Sequence, residues 1–408
     1  MIKLFKSSFK KPGFNLFEKL FVNYYWILVI GGLLYITAGI TWFDPTFYPF
    51  VILVIFIYEY RTIKLNIFDF LWIVTIVWYA LTWIANEYPY KSELIIRCLS
   101  EQISYTLCYW IVRFNKKLNA QEIVKSALFP LFVTSIIGIY FYFYPPAWYL
   151  KNTRAFFTDF EEYEFLRLRS IFIDSYTISY FLGISIIYII FKLARRHSDS
   201  NKLLYILLGI YLITLFLTIQ RSIIAAVVVS VIISLIYSFI YGNIKYLTTT
   251  SIIVVICIFA TGILFDRMDY QGQEYYLSKI TSITDDSSET IENRLFFNKQ
   301  NYEYNLIGDG VGRHNLYSEL YNPGTSLRDG EYNKIIVEQG YIGLSFFIII
   351  ILLSIFKCLS NFKYLSYELS IIILLLICMI GANPLSTFDK HPIIYWLVLG
   401  QISNYNRK

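Results

Sequence analysis

Long apolar runs alternate with short polar breaks from one end of the chain to the other. A helix needs about 20 mostly apolar residues to cross a bilayer. By that rule twelve runs are candidate spans, near 22–40, 45–60, 66–85, 94–113, 125–145, 171–191, 203–219, 222–241, 248–265, 340–356, 368–382 and 391–403. The pattern predicts an all-α, polytopic membrane bundle. Two breaks are longer than the rest, at about 145–170 and 266–339. The second, between the ninth and tenth runs, is the one place where a small extramembrane unit has room to form. No Ser/Gly/Pro linker sets it apart, so residues 1–408 read as one integral membrane domain with 266–339 as an inserted loop.

Composition narrows the class. Of 408 residues, 57% are hydrophobic, 19% aromatic and 16% charged. A soluble domain runs at roughly 45–50% apolar and about 25% charged, and single soluble cores stop growing near ~250–300 residues. A soluble enzyme and a disordered chain are both excluded, and the even spread of the excess excludes a soluble domain on one anchor. The five cysteines, Cys98, Cys108, Cys257, Cys358 and Cys378, lie in or beside apolar runs without a CxxC. They read as small buried hydrophobes. The three histidines are scattered, so neither a metal nor a cofactor is expected. No small-residue cleavage site follows the first run, which excludes a cleavable signal peptide there.

The net charge of +6 matters less than its placement. No basic stripe sits on a soluble fold, so nucleic-acid binding is not indicated. Lys3, Lys6, Lys10, Lys11 and Lys19 put the N-terminal segment in the cytoplasm by the positive-inside rule. Alternating from there, Arg61 and Lys64, Arg113 with Lys116 and Lys117, Lys192 with Arg195, Arg196 and Lys202, Lys245, Lys357 with Lys363, and Arg407 with Lys408 all fall inside. Short outside loops are acidic or mixed, as at Asp44, Glu87 and Glu93. Twelve spans with both termini cytoplasmic and loop 266–339 outside are therefore expected. Long loops escape the rule, so the cations in that loop do not oppose this topology.

Ionisable residues at a membrane edge are functional candidates, because a charge at the bilayer centre costs at least about 2.5–3.5 kcal/mol. Arg221 sits between two apolar runs at the tip of a tight hairpin. It either snorkels to the headgroups or holds a lipid diphosphate bidentately. Arg167 and Arg169 lead into the sixth run, with Asp174 one turn later; this set either pairs internally or meets substrate. In the large loop come Arg294, then Gly308, Gly310 and Gly312 with Arg313 and His314, then Asp329 and Glu338. The glycine spacing is wrong for a dinucleotide fingerprint and no strand precedes it. Tight folding with amide groups open to an anion is the alternative. His314 is either a solvated loop histidine or a general base. Asp329 and Glu338 are either solvated carboxylates or bases. Trp148, Tyr149, Phe156 and Phe157 stack on sugars or form an interfacial belt.

In their order along the chain these clusters resemble the O-antigen polymerase and O-antigen ligase superfamily of bacterial envelope glycosyltransferases, over about 165–345. The superfamily carries an arginine at the outside end of a tight hairpin, as at Arg221, and a second before a G-x-G segment, as at Arg294 before Gly308 and Gly310. A short polar segment then leads into a glycine-turned helix, as Asp329-Gly330-Glu331-Tyr332 leads to Glu338-Gln339-Gly340. Ligases of the superfamily carry a histidine where this chain has Asp329, which favours a polymerase. The resemblance implies a GT-C-like membrane fold in the bacterial inner membrane. It implies transfer of a growing glycan from undecaprenyl diphosphate to a new lipid-linked repeat unit on the periplasmic face. Arg221, Arg294, Arg169 and Arg313 would bind the diphosphate, and Asp329, then Glu338 and His314, would be the base. A flippase and a chain-length regulator of the same pathway would be partners. A ligase, and in another class a lipid-linked oligosaccharide flippase, are the alternatives.

Overall fold

A computed structural model describes residues 14–40, 43–86, 103–150, 167–172, 175–195, 202–241, 305–314, 330–381, 384–385 and 392–405, with isolated positions between 262 and 277. All regular structure among these residues is helical. The elements are α1 (Leu16–Val22), α2 (Tyr24–Ala38), α3 (Phe43–Glu59), α4 (Ile67–Ala85), α5 (Ser104–Phe114), α6 (Ala120–Phe143), α7 (Ser175–Arg195), α8 (Lys202–Leu217), α9 (Arg221–Tyr241), α10 (Glu331–Ser360), α11 (Phe362–Gly381) and α12 (Pro392–Asn404). Six of them, α4, α6, α7, α9, α10 and α11, are long and apolar enough to cross a membrane; α1 and α2 add a seventh if taken as one bent span. Ile57, Ile84, Phe239 and Phe356 stand outward at 66%, 81%, 82% and 70% exposure. Water would penalise such a surface and lipid would not. The chain is a membrane-embedded helical protein.

Helix boundaries follow local chemistry. Asn15 and Asn66 cap α1 and α4 in reciprocal boxes with Glu18 and Asp69, satisfying backbone donors that have no partner in a first turn. The first apolar run is not one straight span: α1 and α2 meet at 72° across Asn23, whose side-chain amide donates to the Lys19 carbonyl at 2.8 Å. The tenth run is longer than its apolar part, because α10 begins at Glu331 and breaks at Gly340. Residues 248–261 and 94–102, and most of loop 266–339, lie outside the described residues.

Contacts group the chain into two units, Met1–Asp44 with Gln121–Ser287, and Pro45–Ala120 with Ser288–Lys408. In the first, α7 is the central helix. Sixteen of its residues are buried, as expected of a helix surrounded by others. Helices α8 and α9 both contact it. Hydroxyls tie the rest: Tyr25 to Thr134 at 2.9 Å, and Tyr211 to the Leu128 carbonyl. In the second unit α12 fills the central place, with eleven buried residues and contacts to α5, α10 and α11.

The second unit is pinned at one end by a buried ion pair. Asp69, fully buried, takes Nε and Nη2 of Arg113 at 2.8 and 2.7 Å. It also accepts the Tyr109 hydroxyl at 2.6 Å and the Asn66 amide at 2.7 Å. Arg113 Nη1 reaches Asn404 of α12. A bidentate pair with its remaining lone pairs satisfied is the arrangement that offsets desolvation.

Candidate functional site

In the first unit, two turns meet. The Leu168 amide donates to the Leu217 carbonyl at 3.0 Å, joining segment 167–172 to the end of α8. Each turn carries a non-glycine residue with positive φ, Ser170 at 60° and Ile219 at 56°. For a β-branched isoleucine this is a true outlier, held only because the surroundings over-determine it. Ile219 is wedged against Phe216 and Phe265. Ser170 donates to the Thr134 carbonyl at 2.6 Å. Gly32 admits the Ile171 backbone, since a Cβ there would lie 2.7 Å from the Ile171 oxygen.

This strained seam holds two of the arginines singled out in the sequence. Arg169 is 3% exposed, and Arg221 is half-buried as the first residue of α9. Gln220 just before it donates to Ser175 Oγ at 2.8 Å, fixing the hairpin tip to the start of α7. Arg221 stands at the positive end of a helix dipole, an unfavourable place for a cation and a favourable one for an anion. Tyr149, packed on Phe141 at 4.8 Å, lies near Arg169. Burial pushes its phenol up to about 12, and the Arg169 guanidinium acts in the opposite direction. Trp148 is 48% exposed. Asp174, Phe156, Phe157 and Arg294 lie outside the described residues.

In the second unit, the glycine segment closes on the break in α10. Gly340 has φ 67° and ψ −175°, which stops the helical hydrogen-bond ladder. Segment 305–310 takes up the groups released. Asp309 and Gly310 amides donate to the Val337 and Glu338 carbonyls at 2.7 and 2.9 Å. Tyr341 and Ile342 amides donate to the Asn305 and Leu306 carbonyls at 3.2 and 3.3 Å. Trp78 of α4 donates to the Gln339 carbonyl at 2.9 Å. Trp83 and Asn86 hold Val311 and Gly308 by their carbonyls at 2.7 and 2.9 Å. The approach demands glycine on both sides: a Cβ on Gly308 would lie 2.4 Å from the Gly340 nitrogen, and one on Gly340 2.2 Å from the Leu306 oxygen.

This corrects the anion reading of the glycine segment. The amides of Gly308, Asp309, Gly310, Arg313 and His314 are all spent within the protein. The glycines serve close backbone approach. Arg313 folds back, its Nη1 donating to the Asp309 carbonyl at 3.4 Å.

His314 is not a solvated loop histidine. It is 5% exposed, and its Nε2 lies 3.0 Å from Asp309 Oδ2. Its backbone amide donates to Glu338 Oε1 at 3.0 Å. Glu338 is not a solvated carboxylate either; it is 1% exposed, inside α10. Glu338, His314 and Asp309 thus form one connected group, while Asp329 lies outside the described residues. Sequence reasoning missed Asp309, although it stands five residues from His314 in the same segment. It also missed Glu331, which is buried and accepts the Leu385 amide at 2.9 Å. No group of three or more His, Cys, Asp or Glu able to hold a metal occurs among the described residues. No protein-family model matches this chain, and no curated protein matches it at a significant level.

Proposed function

We propose that the protein is a polymerase of undecaprenyl-diphosphate-linked oligosaccharide repeat units. In this reading it has twelve spans, cytoplasmic termini and loop 266–339 on the periplasmic side of a bacterial inner membrane. The observation that carries the reading is the strained seam that joins the segment of Arg169 to the end of α8, four residues before Arg221 opens α9. Strain at a hairpin tip costs about 1–3 kcal/mol per residue, and such strain clusters at ligand sites. Two guanidiniums at a membrane edge match a lipid diphosphate in charge and fork geometry. The order of motifs that resembles the polymerase and ligase superfamily supports the same substrate.

The chemistry is a glycosyl transfer. A hydroxyl of the lipid-linked acceptor attacks the anomeric carbon of the growing glycan. The bond from that carbon to the diphosphate oxygen breaks, undecaprenyl diphosphate leaves with the electron pair, and the hydroxyl proton passes to a base. Arg169 and Arg221, with Arg294, stabilise the charge on the leaving diphosphate. Asp329 keeps the role of base by its place before Gly330. The buried group of Glu338 and His314, oriented by Asp309, supplies two further candidates.

A second reading is favoured by the break in α10 beside buried carboxylates, a feature of transporters whose discontinuous helices line a pathway. One experiment separates them: the glycan ladder of a cell carrying Arg221→Ala or Arg169→Ala with normal membrane levels of the protein. A polymerase gives single repeat units on the final acceptor. Polymer held on the lipid carrier means a ligase. Units trapped in the cytoplasmic leaflet mean a flippase, and an unchanged ladder removes the diphosphate role of these arginines.

A further inference from the structure

Aromatic rings gather in the first unit where α6 ends, and they play no part in the transfer described above. Phe141 is their hub. Its ring centroid lies 4.8 Å from that of Tyr149, 5.8 Å from Trp148 and 6.1 Å from Tyr140. Tyr144 joins through Tyr140 at 6.0 Å, and Trp148 also meets Tyr149 at 6.1 Å. Exposure rises across the group, from 8% at Tyr149 through 48% at Trp148 to 57% at Tyr140 and 71% at Tyr144.

The buried end of this group meets the segment that carries Arg169. Gly138, one helical turn before Phe141, lets that segment press on α6: a Cβ there would lie 2.8 Å from the Leu168 side chain and 3.0 Å from that of Ser170. Arg169 stands between those two residues in the chain, and its guanidinium acts on the Tyr149 phenol. Tyr149 therefore neighbours both Arg169 and Trp148.

An interfacial belt accounts for Tyr140 and Tyr144, which need only the right depth in the membrane. Trp148 is more constrained. Its ring stands at 83° to Phe141 and 86° to Tyr149. The turn beneath it is tied by the Leu150 amide, which donates to the Pro146 carbonyl at 3.1 Å. A residue that only marks membrane depth needs no fixed orientation, whereas a recognition ring locked by its neighbours does. The face of an aromatic ring is electron-rich and attracts the polarised C–H groups of a pyranose, whose hydroxyls point to the rim. In a glycosyl diphosphate one oxygen joins the first sugar to the phosphate. A ring that holds that sugar must therefore sit close to the group that holds the diphosphate. Trp148, one ring removed from Arg169, meets this condition.

We propose that Trp148 is the sugar platform of the site: the C–H face of the pyranose attached to the diphosphate lies on its indole while Arg169 holds the diphosphate. The inference rests on the diphosphate role of Arg169 and adds the class of group carried beside it. Stacking reads the shape of a sugar ring more than its hydroxyl pattern, so the platform accepts any pyranose with one open C–H face.

The test titrates the purified full chain in detergent with two lipids, undecaprenyl diphosphate and undecaprenyl-diphosphate-linked N-acetylglucosamine, and reads binding by native mass spectrometry. The expected result is that Trp148→Ala weakens the sugar-bearing lipid about five- to tenfold and leaves the bare lipid unchanged. Trp148→Tyr, which keeps an aromatic face, restores most of the difference. Arg169→Gln weakens both lipids. Equal loss of both lipids in Trp148→Ala assigns the residue to the membrane interface and overturns the proposal. So does a Trp148→Ala protein that binds both lipids as the wild type does. In either case loss of both lipids in Arg169→Gln leaves the diphosphate reading standing. A wild type that binds neither lipid, or an Arg169→Gln protein that loses neither, removes that reading and this proposal with it.

Discussion

At the scale of single residues, three positions carry sharp expectations. Gly340 combines left-handed backbone with a contact that leaves no space for a methyl group. Gly340→Ala should lose about 1–3 kcal/mol from backbone strain alone and more from displacing Leu306, visible as a lower Tm in detergent; an unchanged Tm would show that the segment does not seat there. Arg113→Ala leaves Asp69 buried and uncompensated, which costs about 3–5 kcal/mol for such pairs. Arg113→Met with Asp69→Asn should recover much of that loss in the same melting assay. His314→Ala removes the partner of Asp309 but keeps the backbone amide to Glu338. If His314 takes part in proton transfer, this variant reduces polymer about 100-fold or more at near-normal Tm, whereas a purely structural histidine would lower Tm first. The sequence singled out Gly340 and His314 but could not reveal their surroundings. His314 is held to Glu338 of α10, 24 residues further along the chain. Arg113 read as a topology signal, and only the fold shows it spent on Asp69, 44 residues away.

At the scale of elements, apolar runs were legible because bilayer thickness sets one length for all of them. Helices α3, α4 and α6 to α9 match their runs within a few residues. What failed to show was how helices bend. Nothing in the apolar pattern marks the 72° turn at Asn23, because a polar residue between two apolar stretches is equally tolerated inside a straight helix. The extension of α10 back to Glu331 was hidden for a different reason. Its first turns bury Asn333, Lys334, Glu338 and Gln339, polar residues that a hydropathy window scores as loop. The strained hairpin at Ile219 belongs here too. Lengthening the 218–220 turn by two glycines would relax Ile219 and release the hairpin tip carrying Arg221 from its tie at Gln220 to Ser175. The expectation is an equal or higher Tm with the long glycan lost, measured on the same membranes. Loss of both together would assign the turn to stability instead.

At the scale of the whole molecule, the alternation of basic and acidic loops makes the topology testable without any substrate. Alkaline phosphatase, active only outside the cytoplasm, should be active when fused after residue 88 or within 280–300 and inactive after residue 64, 117 or 197. Activity at 197 would invert every later loop and place the strained seam on the cytoplasmic side, ending the polymerase reading. The positive-inside pattern predicts this topology, while the grouping of helices into two units was not legible. Each unit is assembled from two separated stretches, and hydropathy carries no information about which run neighbours which.

The wide separation of partners in the second unit has a consequence for how the chain is made. Asn66 meets Ser403 across 337 residues, Trp78 meets Gln339 across 261, and α5 lies against α12. The helices of residues 45–120 leave the ribosome early, yet Trp78 must wait for α10, and Asn66 for α12, before finding these partners. The first unit draws its described contacts from residues before 288 and has no such delay. Since chains fold from the N-terminus as they emerge, newly inserted α3, α4 and α5 form a waiting intermediate, with Asp69 and Arg113 already able to pair and the tryptophans of α4 still unmatched. A nascent chain arrested just before α12 should then show α5 accessible to cysteine-reactive probes that the finished protein excludes.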